Sequence, residues 1–138
     1  MPTPSPHRVL LIEDSHDDAD LIARRLGSDF VVTRADTISD VEAALAIDGW
    51  DLVLSDWNVP GVDTPGTLRS LAKRLPDTPC ILLTGSLPLA QLVSAMQLGA
   101  RDCFEKDQLA GLRAAALREM ASARASAEAR RREAALVE

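Results

Sequence analysis

Short apolar runs alternate with amphipathic segments along most of the chain, and this alternation limits the fold more than any other feature. Each run is nearly continuous and is bounded by charged or turn-forming residues. Such runs are typical of strands that are buried on both faces of a sheet. The sequence therefore predicts strands at RVLLIE (8–13), FVVTRA (30–35), WDLVLSD (50–56), CILLTG (80–85) and RDCFEK (101–106).

Segments with apolar residues at helical spacing lie between these runs. Gly27 and Gly49 are expected to close the first two of them, and Pro76 is expected to stop the third. Helices are predicted on this basis at DADLIARRLG (18–27), TISDVEAALAIDG (37–49), TLRSLAKRL (67–75) and PLAQLVSAMQLG (88–99). Strands that alternate with helices indicate an α/β fold, with a doubly wound five-stranded parallel sheet. Its right-handed crossovers place all the strands' carboxyl ends on one edge, where such sheets bind ligands.

The segment from about Asp107 to the end is rich in alanine, arginine and glutamate, so its helix propensity is high. Its first half has one apolar face, formed by Leu109, Leu112, Ala116 and Met120. A helix of roughly 30 residues is about 45 Å long, which overruns a domain of this size. We therefore expect a disordered segment at 1–7, a domain at 8–120 and a helical extension or linker at 121–138.

Composition narrows the class of protein. The chain has 138 residues, 46% of them hydrophobic, which suits one globular domain. Its net charge of −6 and the absence of a basic stripe in its first hundred residues argue against a nucleic-acid partner. No run approaches the roughly 18 apolar residues of a membrane span, and the Pro-rich start is unlike a signal peptide. Cys80 and Cys103 fit neither a disulfide framework nor a zinc site, so we expect buried free thiols in a cytoplasmic protein.

Polar side chains stand at the carboxyl ends of four predicted strands. They are Glu13 and Asp14, Asp56, Thr84 and Lys106. Three carboxylates held together repel one another unless a cation balances them, and Mg²⁺ prefers such oxygen ligands. A lysine and a hydroxyl can hold phosphoryl oxygens. Each residue alone has an ordinary interpretation, as a cap, a turn or a solvated lysine, but the set together favours phosphoryl transfer to a carboxylate.

Four segments carry a family resemblance. VLLIEDSHDDADL (9–21), LVLSDWNVPG (52–61), ILLTG (81–85) and GARDCFEKD (99–107) resemble, in order and spacing, the signature segments of the response regulator receiver domain of two-component signalling. The resemblance covers residues 8 to about 120. It implies a flavodoxin-like fold with strand order 2-1-3-4-5, followed here by an extended C-terminal helix.

The resemblance also implies roles for the polar residues. Asp56 would accept a phosphoryl group from a histidine kinase or a phosphotransfer protein. Asp14 and Asp56 would ligate Mg²⁺ directly, together with the backbone carbonyl of Asn58, and Glu13 would act through water. The domain would catalyse only its own phosphorylation and dephosphorylation, and would not otherwise be an enzyme.

Thr84 and Lys106 match the hydroxyl and the amine that engage the phosphoryl oxygens in this family. Downstream of them the sequence departs from the family pattern. Cys103 occupies the switch position, which is usually aromatic, and the adjacent Phe104 should point to the opposite face of its strand. Asp107 replaces the usual proline and is expected to cap the last helix.

The loop after the third strand also departs from the family. A glycine often follows directly after the acid at Asp63, but here Thr64, Pro65 and Gly66 follow, which suggests a longer or reshaped loop. These departures spare the predicted phosphorylation site. We therefore expect ordinary phosphorylation with a modified route of output.

Other classes fit less well. A phosphatase of the haloacid dehalogenase type needs a second acid two residues after its nucleophile, where this chain has Asn58. A nucleotide-binding flavodoxin-like protein needs a phosphate-cradling loop after its first strand, which is absent from the sequence. A degenerate receiver that only binds proteins would be expected to lack some of the five polar residues, and none is lost.

The sequence does not determine how the domain passes on its signal. The chain is expected to be a stand-alone receiver that docks a partner, a homodimer paired through the C-terminal helix, or a receiver cut from a larger sensor, kinase or cyclase protein. Alanine-rich faces bury little area, so pairing through the distal half of the helix alone would be weak. A homodimer assisted by this helix is the favoured interpretation.

Overall fold

The computed structural model describes residues 5–86 and 88–137, and it confirms the predicted α/β fold. Five parallel strands form one sheet in the order β2-β1-β3-β4-β5. The strands are β1 (His7–Ile12), β2 (Phe30–Ala35), β3 (Leu52–Asp56), β4 (Cys80–Thr84) and β5 (Asp102–Glu105). The helices are α1 (His16–Leu26), α2 (Ile38–Leu45), α3 (Thr64–Arg74), α4 (Leu89–Gln97) and α5 (Leu112–Val137).

Alternate residues of each central strand enter two separate apolar clusters, one on each face of the sheet. In β1, Val9 and Leu11 pack with side chains of α1 and α5. Leu10 and Ile12 pack on the other face, with side chains of α2, α3 and α4. Because both faces of the sheet are covered, the sequence of β1 is a continuous apolar run rather than an alternation of apolar and polar residues. The central strands are therefore rigid supports for whatever lies at their ends.

Capping residues set the starts of the first two helices. Ser15 Oγ accepts a hydrogen bond from the backbone N–H of Asp18 at 3.2 Å, which caps α1. Thr37 caps α2 in the same way through the N–H of Asp40. α2 ends at Leu45, however, well before the Gly49 at which it was predicted to end.

Helix α3 begins earlier than predicted, at Thr64 rather than Thr67. Pro65 lies in its first turn, where the missing N–H of proline costs nothing and its fixed φ suits the helix. Residues 64–66 therefore belong to the helix, and the expectation of a longer or reshaped loop relative to the family stays a prediction. The preceding loop turns at Gly61, whose φ of +78° is the conformation that favours glycine.

The C-terminal helix α5 begins at Leu112, so the prediction that Asp107 caps it is wrong. Turns fill the interval, with the N–H of Leu112 bonded to the carbonyl of Leu109 at 3.0 Å. Burial continues beyond the predicted boundary at residue 120. Ala123 and Ala127 are buried, and favour a later boundary.

The N-terminal boundary also differs from the prediction. β1 begins at His7, which pairs with Phe30 of β2, so this residue is not part of a disordered segment. Residues 1–4 lie outside the described part of the chain, and the prediction of disorder there stays a prediction. Among the described residues, no helix is both long enough and apolar enough to cross a membrane.

The two cysteines are free thiols on neighbouring strands. Cys80 is buried in β4. Cys103 is partly buried in β5, and it pairs with Leu82, which lies two residues after Cys80 in β4. Burial raises the pKa of the Cys80 thiol to about 12. Burial and the nearby charges of Asp102 and Glu105 raise the pKa of Cys103 as well.

Both thiols should therefore react slowly in the folded protein, because the thiolate is the reactive form. We expect Cys103 to react first with an aromatic disulfide reagent, and Cys80 to react only on unfolding. Peptide mapping after timed labelling measures this order. Labelling of Cys80 before Cys103 in the folded protein would contradict it.

Candidate functional site

Parallel pairing brings the polar ends of four strands together at one edge of the sheet. Glu13 follows β1, Asp56 ends β3, Thr84 ends β4 and Lys106 follows β5. Adjacent strands are paired in register up to these ends, so Glu13, Asp56 and Lys106 meet in a cleft at this edge. Thr84 ends the strand that lies between β3 and β5. The N–H of Lys106 bonds to the carbonyl of Thr84 at 2.9 Å, which fixes the lysine beside the end of β4.

Three carboxylates form a potential metal site in this cleft. One oxygen each from Glu13, Asp14 and Asp56 lies within 4.8 Å of the others. Glu13 is fully buried and Asp56 nearly so, whereas Asp14 is exposed. Glu13 Oε2 is buried and has no hydrogen-bond partner among the described residues. A buried unpaired carboxylate oxygen is costly, and a hard divalent cation with its waters would satisfy it. The donor set therefore fits Mg²⁺.

Lys106 is the cation at the centre of the site. Its Nζ lies 2.9 Å from Asp56 Oδ2, 3.0 Å from Glu13 Oε1 and 2.9 Å from Asp18 Oδ2. Burial lowers the pKa of Lys106, but its hydrogen bonds to Asp18, Asp56 and Glu13 outweigh that effect and raise the pKa overall. All three ammonium donors of the lysine thus point at carboxylates.

Burial dominates the electrostatics of Glu13. It raises the pKa of this carboxyl group to about 7, and the nearby charge of Asp56 adds to the rise. The hydrogen bond from Lys106 and that from the N–H of Ser15 oppose it. Glu13 thus lies near the balance point between its charged and neutral forms at neutral pH.

Asp56 and Thr84 are the last residues of two neighbouring strands at this edge. Asp56 Oδ1 accepts a hydrogen bond from the N–H of Asn58 at 3.2 Å, while Oδ2 faces Lys106. Thr84 is 2% exposed, and its Oγ1 has no hydrogen-bond partner among the described residues. An unpaired buried hydroxyl at the end of a strand can donate to an oxygen of an incoming ligand. The predicted metal contact of the Asn58 carbonyl stays a prediction.

The loop after Asp56 is tied back to the site by one of the residues that departs from the family pattern. Thr64 is buried, and its Oγ1 donates to the carbonyl of Trp57 at 2.7 Å. The N–H of Trp57 in turn bonds to the carbonyl of Leu83 in β4. Thr64 therefore fastens the start of α3 to the residue that directly follows the candidate acceptor.

Asp18 is a site residue that the sequence interpretation missed. Asp18 lies in the first turn of α1, where an acid suits the helix dipole. Its carboxylate also contacts Lys106. The only local signal was Ser15 three residues before an acid, which indicates a helix start and nothing about a lysine 88 residues away.

Cys103 and Phe104 face opposite sides of the sheet, as the alternation along β5 predicted. Cys103 packs against the cluster that includes Leu82 and Ala100, and Phe104 packs against the cluster formed with α1 and α5. Phe104 therefore cannot take the place of an aromatic residue at position 103. How position 103 affects switching stays a prediction.

The fold and the cleft together define an open α/β domain with an acidic cluster that could hold a cation, and a lysine among those acids, at the carboxyl edge of its sheet. The family profile described as the response regulator receiver domain matches residues 9–117. The DNA-binding transcriptional regulator NtrC of Salmonella typhimurium is 33% identical over 99 residues, 71% of this chain and 21% of NtrC. The protein-glutamate methylesterase/protein-glutamine glutaminase 6 of Anaeromyxobacter dehalogenans is 34% identical over 109 residues, 76% of this chain and 31% of that protein.

Solved structures have the same fold. The signal receiver domain of an HD domain-containing protein from Pseudomonas fluorescens has a TM-score of 0.81 and 21% identity, with 93% of this chain and 96% of that chain covered. A CheY-like response regulator receiver domain protein from Methanospirillum hungatei has a TM-score of 0.78 and 21% identity, with coverage of 88% and 99%. These neighbours share the fold. The chain belongs to the response regulator receiver domain family of two-component systems, and it spans 21% and 31% of the length of the two curated relatives named above.

Proposed function

We propose that this domain is a phosphoacceptor switch whose Asp56 takes a phosphoryl group from a histidine kinase or a phosphotransfer protein. One observation carries the proposal. The Asp56 carboxylate lies 2.9 Å from Lys106 Nζ, at a sheet edge that also carries two buried polar atoms with no hydrogen-bond partner among the described residues, Glu13 Oε2 and Thr84 Oγ1. A cation and a phosphoryl group together would satisfy both atoms.

In the proposed transfer, an Asp56 carboxylate oxygen attacks phosphorus. An O–P bond forms as the bond from phosphorus to the donor's histidine nitrogen breaks, and that nitrogen leaves with the bonding electron pair. Lys106 donates to a phosphoryl oxygen and Thr84 donates to another, so charge on the transferred group is neutralised. Mg²⁺, held by Glu13, Asp14, Asp56 and the Asn58 carbonyl, would supply further positive charge there.

A separate hydrolysis step is proposed to regenerate the free switch. Water attacks phosphorus, the O–P bond breaks, and Asp56 returns to a carboxylate with inorganic phosphate as the product. The domain thus acts on its own acyl phosphate and on no separate substrate. We infer that it works in the cytoplasm, where its kinase would supply the phosphoryl group, and that it needs neither nucleic acid nor membrane as a partner.

Signal output is proposed to use partner docking or homodimerisation through α5. Part of that helix is already occupied, since Ala123 and Ala127 are buried within the chain itself and Arg130 contacts Asp77 before β4. Only the face of α5 that carries Ala123 and Ala127 is buried, and the large apolar side chains exposed on the helix are Leu117 at 36% and Leu136 at 87%. Two separated leucines bury little area, so a dimer needs more of the receiver surface than this helix alone.

Labelling with acetyl phosphate tests the proposed function. With Mg²⁺ present, the intact mass of the protein should rise by one phosphoryl group, and peptide mapping should place the group on Asp56. Chelation of divalent cations should abolish the labelling, because three carboxylates and one lysine leave the site short of positive charge. No label with Mg²⁺, or a label on another residue, would overturn the proposal.

A further inference from the structure

Asp18 is unusual because its carboxylate does not make the local capping hydrogen bond that its position in α1 favours. It is the third helical residue of α1 after the cap Ser15, and Ser15 Oγ accepts from its N–H. In the usual capping arrangement, an acid at this position reaches back to the N–H of the capping residue. Here Glu13 Oε1 accepts from the Ser15 N–H instead, at 3.1 Å. The Asp18 carboxylate is thereby released toward Lys106.

The contact of Asp18 with Lys106 is as short as that of the candidate acceptor. Asp18 Oδ2 and Asp56 Oδ2 each lie 2.9 Å from Lys106 Nζ. A lysine ammonium has three donors, and Glu13 Oε1 takes the third at 3.0 Å. A phosphoryl group that enters the cleft can therefore gain a lysine donor only if one of these carboxylates gives it up.

We propose that Asp18 is a positioning residue that holds Lys106 before phosphorylation and competes with the phosphoryl group for its ammonium. The inference rests on the proposed phosphorylation of Asp56. Among the three partners, Glu13 is fully buried and Asp56 is the acceptor, whereas the Asp18 side chain is 41% exposed. Water can solvate the Asp18 carboxylate when it releases the lysine, so this contact is the least costly one to exchange.

The competition sets the direction of the effect. The Asp18 carboxylate occupies one ammonium donor of Lys106, and its charge repels an anionic group placed near that lysine. Removing this charge should therefore favour the phosphorylated state over the free state. Because a partly exposed contact contributes modestly, the expected change is about 3- to 10-fold.

The test compares Asp18→Asn with Asp17→Asn. Asp17 lies exposed on the same turn of α1, and the described ion pairs of Lys106 do not include it. Both substitutions remove one charge from the same helix terminus, so only the lysine contact differs. At saturating Mg²⁺, Asp18→Asn should bind beryllofluoride about 3- to 10-fold more tightly and should lengthen the half-life of the acyl phosphate by a similar factor. Asp17→Asn should leave both values near those of the wild type.

A conservative variant separates positioning from a structural role. Asp18→Glu restores a carboxylate within reach of Lys106 and should return the lifetime toward the wild-type value, which a structural defect would not do. Equal lifetimes in Asp18→Asn and Asp17→Asn, or a shorter one in Asp18→Asn, would overturn the role of Asp18 while the proposed function stands. If the wild-type protein takes no label at Asp56, the proposed function fails, and this inference fails with it.

Discussion

Asp56→Asn is expected to abolish labelling by acetyl phosphate while the domain stays folded. The amide has nearly the shape of the carboxylate, and it can still accept from the N–H of Asn58. It lacks the nucleophilic oxygen pair that forms the O–P bond, so no acyl phosphate can form. The change also takes away the charge that contributes to the raised pKa of Glu13. Intact mass spectrometry at a fixed time with Mg²⁺ should show full labelling of the wild type and no labelling of the variant.

Asp63→Asn is the matched control for that experiment. Asp63 directly precedes α3 at the other end of the same loop, and its side chain makes no capping hydrogen bond. The same chemical change there should leave labelling at the wild-type level. Undiminished labelling of Asp56→Asn would show that another group accepts the phosphoryl group, and a loss in both variants would indicate that the loop rather than the acceptor was disturbed.

The sheet was predictable from the sequence because its strands are buried on both faces. Val53 and Leu54 of β3 face opposite clusters and are both fully shielded, so the run had to be apolar throughout. The same argument put Asp56 at the carboxyl edge, since the first charged residue after such a run marks its exit from the core. Element type and order therefore followed from burial alone.

Helix starts were predicted less well because local signals compete. Pro65 and Gly66 suggested a loop, yet proline is well suited to a first helical turn, and Gly66 leaves room for Asp63. Asp107 suggested a cap for α5, but Leu109 is buried before the helix begins, and turns carry the chain past it to Leu112. The start of α5 thus depends on the burial of Leu109 in the core, which the spacing of residues in the sequence does not indicate.

The residues of the site also differ in how far the sequence predicts their positions. Glu13 and Asp56 could be placed on one edge from topology, because each ends a strand. Asp18 could not, because its contact with Lys106 joins two loop-proximal side chains whose separation depends on how α1 packs against the sheet. The release of Asp18 from the cap also depends on Glu13, a residue outside the usual capping pattern.

Lys106→Met is expected to destabilise the metal-free protein strongly near neutral pH. Methionine keeps most of the apolar length of the side chain but removes the cation from three carboxylates, one of them fully buried. Breaking a buried ion pair by removing one partner costs about 3–5 kcal/mol, and the partial exposure of this site lowers the expected loss to about 2–4 kcal/mol. Chemical denaturation with a chelator present, at about pH 8, measures the loss directly.

The loss of stability caused by Lys106→Met should become smaller as the pH falls. Glu13 has a pKa of about 7 in the folded protein against 4.5 when unfolded, so the folded state binds more protons between these values and gains stability as the pH decreases through them. Lys106 opposes the raised pKa of Glu13, so its removal should raise that pKa further. The variant should therefore recover more stability on acidification than the wild type, which narrows the difference at about pH 5.

Lys73→Met is the natural control, because Lys73 and Lys106 are the two lysines of the chain. Lys73 is exposed in the last turn of α3, so losing its charge should cost only a few tenths of a kcal/mol through the helix dipole. A loss for Lys106→Met that is the same at about pH 5 and about pH 8 would show that side-chain packing, rather than charge balance with Glu13, is what the lysine contributes. A loss no greater than that of Lys73→Met would mean that the carboxylates are balanced without Lys106.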